Sequence, residues 1–128
     1  MKQMFVLCAA LALTAPVAAH HGNASTESKT VVMKATVTEW LWTNPHTFLK
    51  FDVKTDNGDV THWSAEWNNP STLVNFGLTA RTFKPGDQVT VTLDGVAKSG
   101  APIGRIKEVM LADGRVMRYD GASGNGGN

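Results

Sequence analysis

The chain has 128 residues, the length of one small domain with a modest hydrophobic core. Its 12 basic and 11 acidic side chains give a formal net charge of +1 at pH 7. Because this charge is close to neutral and not clustered along the sequence, we expect neither nucleic acid nor an anionic membrane surface as a partner.

Residues 1–19 have the pattern of a secretory signal peptide. Lys2 is followed by an apolar run from Met4 to Leu13, and small residues close the segment. The run is shorter than the roughly 20 apolar residues that a membrane-spanning helix needs, so it predicts export without a membrane anchor. We therefore expect a periplasmic protein.

The position of the cleavage site decides which residue becomes the new N-terminus. Signal peptidase prefers small residues at positions −3 and −1, which favours cleavage after Ala19, whereas cleavage after Ala18 would put Pro16 at position −3. The mature chain is then expected to begin at His20, with the cut after Ala18 as the alternative. The only cysteine, Cys8, lies in the leader, so the mature chain has no disulfide and no thiolate metal ligand.

Polar segments flank the predicted folded domain, which spans residues 31–120. Residues 20–30 contain no apolar anchor, which predicts a flexible N-terminal arm. Residues 121–128, with the sequence GASGNGGN, predict a disordered tail.

Alternating apolar and polar residues predict three strands in the first half of the domain. The first runs from Val31 towards Trp40, the second follows the turn at 43–45, and the third is VTHWSAEW at 60–67. Trp63 and Trp67 share the apolar parity of the third strand, so both are expected in the core.

Parity also fixes the register of the second and third strands. A two-residue turn at Asn57 and Gly58 would set Phe51 opposite Ser64, whereas a three-residue loop with Gly58 in the left-handed conformation sets Phe51 opposite Trp63. The second register keeps the apolar face intact, and we adopt it. On the outer face it places His62 across from Asp52, Glu66 across from Phe48, and His46 across from Asn68.

The sequence of the second half of the domain predicts one helix and three further strands. Asn69 as N-cap, Pro70 at the first helical position and Gly77 at the end predict a helix over 70–76. A Lys-Pro-Gly-Asp turn at 84–87 leads into a fourth strand, and later strands are expected near 105–111 and 115–119. This order predicts an all-β domain with one short helix, a small five- to six-stranded OB-like barrel, with a small β-roll or sandwich as the alternative.

Two adjacent histidines at the expected mature N-terminus suggest a metal site. The free amine and the ring Nδ1 of His20 can close a six-membered chelate, and His21 adds another nitrogen. Nitrogen-rich, roughly planar coordination favours Cu(II) among the divalent ions. Cleavage after Ala18 would instead give an X-X-His terminus, which is also a candidate copper ligand set. His46 is the next candidate metal ligand. The alternative to a metal site is that the two N-terminal histidines are solvated and bind nothing.

Exposed aromatic side chains offer a second kind of candidate site. Trp40, Trp42 and Phe48 could form a surface for a base, a sugar or an aromatic ligand, with His62 beside it. The pair that His62 forms with Asp52 is expected to be an ordinary cross-strand contact. Although Ser64 lies on the same face, an open sheet supplies no evident oxyanion donors, so we do not expect nucleophilic catalysis.

Several segments resemble a family of short exported bacterial proteins classed as a domain of unknown function. The resemblance rests on the leader ending in Ala-His-His, the W-T-N-P-H motif at 42–46, Trp-Ser-Ala-Glu at 63–66, the 84–87 turn, and Leu-Ala-Asp-Gly-Arg at 111–115. Members often have serine after the two histidines, whereas Gly22 follows here. The resemblance implies a periplasmic barrel protein and leaves its chemistry open.

The sequence therefore predicts an exported binding protein that is not an enzyme. Cu(II) capture by the N-terminal histidines is the first hypothesis, and a metal-free module that binds a small molecule, saccharide or envelope protein is the second. A copper-dependent oxidase or a hydrolase is a more distant alternative, because a mobile arm is a poor platform for a rigid catalytic metal.

Overall fold

A computed structural model describes residues 25–119. Six strands and one helix follow one another along this part of the chain: β1 (Thr26–Leu41), β2 (Thr47–Lys54), β3 (Val60–Trp67), α1 (Pro70–Val74), β4 (Gln88–Ala97), β5 (Ile103–Leu111) and β6 (Val116–Arg118). Within the described residues, no helix is long and apolar enough to cross a membrane. The predicted leader, the two N-terminal histidines and the glycine-rich tail lie outside them.

The strands join into one closed sheet. β1 pairs antiparallel with both β2 and β4, β2 pairs with β3, and β4 pairs with β5. Parallel pairing of residues 64–66 in β3 with residues 103–105 in β5 completes a ring in the order β1-β2-β3-β5-β4. β6 pairs with the second half of β5, outside the ring. The predicted all-β barrel with one short helix is confirmed.

β1 begins five residues before the predicted start of the first strand. Thr26 and Glu27 pair with Ala97 and Val96 of β4, and the backbone N–H of Lys98 donates to the carbonyl of Ser25 at 3.0 Å. The prediction of a flexible arm is therefore wrong over residues 26–30. These polar residues form a strand because β4 offers unpaired backbone groups, and pairing with a neighbouring strand overrides weak local preference.

The β2–β3 hairpin has the register that parity predicted. Phe51 lies opposite Trp63, and Asp52 lies opposite His62. Gly58 has a φ of 89°, the left-handed conformation expected for a three-residue loop. The outer face of β2 and β3 therefore carries the side chains that the sequence assigned to it.

The core lies inside the ring and is formed by alternate residues of the strands together with residues of the helix and the segment after it. The largest apolar side chains with less than 2% exposure are Phe51, Leu49, Leu93, Val37, Val91 and Val109 of the strands, Leu73 of the helix, and Leu78. Trp67 is buried as predicted, but Trp63 is only half-buried and stacks parallel to Phe51 at 6.3 Å between ring centroids. Trp63 is not fully buried because β5 begins to pair with β3 only at Ser64, one residue further along the strand.

The helix α1 is shorter than predicted and covers one end of the core. The Asn69 side chain accepts a hydrogen bond from the backbone N–H of Thr72 at 2.8 Å, so the predicted N-cap is confirmed. The helix ends at Val74 and not at residue 76. Phe76, which follows it, meets Tyr119 edge to face at 5.1 Å, and this contact holds the end of the described chain against the helix region.

Gly104 lies at the place where β5 pairs with β3 on one side and β4 on the other. A Cβ atom at this position would come within 2.5 Å of Leu93 Cδ1 and 2.9 Å of the Gly95 carbonyl oxygen. Real Cβ atoms essentially never approach other atoms so closely, so a side chain here would force Leu93 or the backbone at Gly95 to shift.

We predict that Gly104→Ala lowers the free energy of unfolding by about 1–3 kcal/mol, because the added methyl group overpacks the contact with Leu93. Gly95→Ala is the matched control, since the atoms nearest to its Cβ would belong to the Arg105 side chain, at an ordinary distance of 3.5 Å or more. This control should change stability by no more than about 0.5 kcal/mol. Urea denaturation measures both variants, and equal losses would contradict a specific role for Gly104 in closure.

Candidate functional site

The outer face of β1, β2 and β3 carries most of the polar side chains that the sequence singled out. Strand alternation places Phe48, Lys50 and Asp52 of β2 on this face. His62, Ser64 and Glu66 of β3 lie directly across from them. Lys50 Nζ also contacts Glu39 of β1 at 2.7 Å, so the face combines charges of both signs in close pairs.

His62 forms a hydrogen-bonded pair with Asp52 across the two strands. The ring Nδ1 lies 2.6 Å from Asp52 Oδ1, and 80% of the His62 side chain is exposed. This confirms the predicted cross-strand pair. Because the carboxylate engages Nδ1 and fixes the ring orientation, Nε2 points away from Asp52 and remains the nitrogen for another partner.

His46 forms a second histidine–carboxylate pair on the same outer face. Its Nδ1 contacts Glu66 Oε1, and both side chains are about half exposed. The backbone register places Glu66 opposite Phe48, so the contact is diagonal, two residues along β2. Sequence reasoning missed it because we considered only the residue directly opposite His46, which is Asn68; the diagonal spacing was the available signal.

A groove of about 470 Å³ runs between the outer face and the start of β5. It is lined by Thr38, Lys50, Asp52, His62, Trp63, Ser64, Pro102 and Ile103. Pro102 and Ile103 form one wall, and the Ile103 side chain is 53% exposed. No sequence pattern predicts this wall, because it depends on pairing between strands that are nearly 40 residues apart.

The three aromatic residues of the predicted binding surface do not lie together. A bulge between Val37 and Glu39 inserts one extra residue into β1 and reverses its alternation. Trp40 is consequently paired with the buried Leu49, whereas Phe48 lies on the outer face. The common aromatic surface expected from the sequence is therefore absent from the described part of the chain.

Trp40 and Trp42 instead pack at one end of the barrel. Their ring centroids are 5.6 Å apart, and Trp40 meets Phe83 edge to face at 5.1 Å. Trp40 Nε1 donates a hydrogen bond to the carbonyl of Thr79 at 2.9 Å. Both tryptophans are partly buried and pack against the core.

Residues 25–119 contain no group of three or more histidine, cysteine, aspartate or glutamate side chains arranged to hold a metal ion. His46 with Glu66 and His62 with Asp52 are two separate pairs. His20 and His21, the first predicted metal ligands, lie outside the described residues.

The model of DUF6152, a family of unknown function, matches residues 7–105. The chain belongs to this family. Membership in DUF6152 agrees with the resemblance to a domain of unknown function and adds no activity to it. No curated protein matches the chain.

Among solved structures, this DUF6152 protein is similar to a mitochondrial single-stranded DNA-binding protein from S. cerevisiae. The identity is 14%, the match covers 67% of this chain and 95% of that one, and the TM-score is 0.46. The expectation that excluded nucleic acid as a partner is withdrawn. The exclusion was unsound because the net charge of a whole chain does not describe one local surface. A likeness this distant assigns no ligand to the DUF6152 chain.

We predict that Trp40→Ala lowers the free energy of unfolding by about 2–4 kcal/mol, because it removes ring packing and the hydrogen bond to Thr79. Phe48→Ala on the outer face should cost at least about 1 kcal/mol less, since fewer buried contacts are lost. Urea denaturation monitored by circular dichroism measures both. Equal losses would contradict the separation of these aromatics onto two faces.

Proposed function

We propose that this protein is an exported, periplasmic Cu(II)-binding protein whose mature N-terminus supplies the first metal ligands. The α-amine and the Nδ1 atom of His20 form the chelate, and His21 contributes a further nitrogen. Cu(II) is the ion that such a nitrogen-rich set favours, by the Irving–Williams order and by geometry. The position of both histidines directly after the apolar leader supports this assignment.

The early start of β1 is the single observation that carries the proposal. Ser25 is hydrogen-bonded to Lys98, and the strand begins at Thr26. Only four residues, 21–24, therefore separate His20 from the fixed barrel, instead of the longer arm that the sequence predicted. A short tether loses less conformational entropy when it is ordered, which supports a defined metal site at this end of the chain.

Binding fits the outer face better than catalysis does. The His62–Asp52 pair is open to solvent, with 80% of the histidine side chain exposed. Acid–base and nucleophilic catalysis gain most of their rate from donors fixed in a site that excludes water. We therefore infer that the protein binds its ligand without transforming it.

A metal-free ligand in the groove is the second candidate function. The groove volume of about 470 Å³ lies within the range of roughly 300–1,000 Å³ that small-molecule sites occupy. Trp63, Pro102 and Ile103 supply apolar contact, and Asp52 and His62 supply polar groups. This alternative replaces the surface of Trp40, Trp42 and Phe48, since those three do not lie together.

A Cu(II) titration of protein purified from the periplasm tests the first proposal, with the intact mass recorded on the same sample. We expect one copper ion per chain with submicromolar affinity and a mature chain that begins at His20 or Ala19. His20→Ala combined with His21→Ala should weaken binding at least about 100-fold, because the imidazole ligands are lost. Thermal unfolding without metal should not change, since both residues precede the barrel.

Three results would contradict the proposal. They are the absence of copper binding, an unchanged affinity in the double variant, and a mass that retains the leader in the periplasmic protein. Absence of binding, together with a small molecule that protects Trp63 from fluorescence quenching, would favour the metal-free alternative.

We also predict that copper affinity falls as the pH decreases. Protons compete with the metal for the amine and the imidazoles, whose ordinary pKa values are about 8 and 6.5. Both ligand types must be deprotonated to bind, so the apparent affinity should drop steeply below about pH 6.5. Titrations at several pH values measure this, and an affinity independent of pH would contradict nitrogen ligation.

A further inference from the structure

We propose that the groove beside β5 binds a short, uncharged oligosaccharide, whose hydroxyl groups meet the polar side of the groove and whose ring face meets the apolar wall. This inference rests on the second candidate function, the metal-free ligand, and names the chemical class of that ligand. It does not depend on copper, because described residues alone form the site.

The groove crosses the strands of the sheet and does not run along them. Its residues come from β1, β2, β3 and the start of β5. In register, Lys50 of β2 lies across from Ser64 of β3, and Ser64 lies across from Ile103 of β5. Neighbouring strands are about 4.8 Å apart, so the three spacings from β1 to β5 make about 14 Å. A ligand that fills the groove is therefore elongated, as a short chain of sugar rings is.

Each ionisable side chain in the groove already has a partner of opposite charge. Lys50 Nζ lies 2.7 Å from Glu39 Oε2, and His62 Nδ1 lies 2.6 Å from Asp52 Oδ1. A charged group on a ligand would lose hydration without meeting an unpaired counter-charge among the described residues that line the groove. Charge complementarity therefore favours an uncharged ligand.

The groove also offers hydrogen-bonding atoms that have no partner within residues 25–119. They are the hydroxyl oxygens of Thr38 and Ser64, the Oδ2 atom of Asp52 and the Nε2 atom of His62. Lys50 retains N–H donors beyond the one in its ion pair. A ligand must therefore both donate and accept at several neighbouring points. Adjacent sugar hydroxyl groups do both, because each carries one hydrogen and two lone pairs.

The apolar wall at the β5 end of the groove is formed by Pro102 and Ile103. The Ile103 side chain is 53% exposed, so a ligand that covers it removes apolar surface from water. The wall is fixed to β3, because the N–H of Ser64 donates to the Pro102 carbonyl at 3.0 Å. One face of a pyranose ring presents mainly C–H groups, whereas its hydroxyl groups project from the ring edge. The same sugar can consequently contact the wall and the polar atoms.

His46 provides a matched control for His62. Both histidines contact a carboxylate through Nδ1 on the outer face. His46 is not part of the groove, and it precedes Thr47, which pairs with Trp67 at the opposite end of β3 from His62. Replacing either histidine removes one imidazole and one ion pair, so the two variants differ in their position relative to the groove.

Titration of the full chain with maltose, cellobiose and chitobiose, three uncharged disaccharides, tests the proposal by NMR. At least one should bind with an affinity of about 1 mM or tighter and should shift the amide signals of residues 62–64 and 103. His62→Ala and Ile103→Ser should each weaken binding by about 3- to 10-fold, since one loses a hydrogen bond and the other apolar contact. His46→Ala should match the wild type, and thermal unfolding checks that each variant folds.

The outcomes separate this inference from the proposed functions. No saturable binding of any of the three disaccharides, or equal losses in the His62 and His46 variants, would overturn the saccharide proposal. If the sugars fail but a single-stranded oligonucleotide or a charged small molecule shifts the same amide signals, the groove remains a ligand site and the saccharide class is wrong. The copper proposal is tested separately, because neither of its N-terminal ligands lines the groove.

Discussion

The parallel contact between β3 and β5 is the constraint on which the rest of the structure depends. Without it, the five strands would form an open sheet with a core exposed along two edges. Closure favours glycine at position 104, because Leu93 and the backbone of Gly95 fill the space beside it and would have to shift for a side chain. The same contact places Pro102 and Ile103 on the wall of the groove that Trp63 also lines. Stability and the candidate site consequently share one short segment of β5.

The chemistry of the outer face follows from its paired charges. Each histidine on this face contacts a carboxylate through Nδ1, and Lys50 is neutralised by Glu39. Exposed pairs of this kind contribute little to stability, typically about 0–1 kcal/mol each. These pairs instead fix the orientation of the side chains. An imidazole held in one orientation contributes more to ligand binding than to folding. The position of the groove then distinguishes His62 from His46.

The sequence predicted what depends on local alternation and missed what depends on distant contacts. Parity and the turn at Gly58 were enough to pair Phe51 with Trp63 and His62 with Asp52. The ordered start at Thr26 was not predictable from its own residues, because it depends on pairing with β4, which lies far away in the sequence. No residue type near Val37 signals the bulge in β1. The sequence therefore could not predict that Trp40 lies on the core side of the sheet and not on the outer face.

The hydrogen bond between Ser25 and Lys98 has a practical consequence for the handling of this protein. Any affinity tag fused to the mature N-terminus would lie within a few residues of Ser25 in the sequence, and it would replace the free amine that the proposed site requires. The other end of the described chain is held at Tyr119 by Phe76, next to the helix. Purification handles therefore belong at the C-terminus, and ligand screens on N-terminally tagged protein would sample a site that the tag itself has altered.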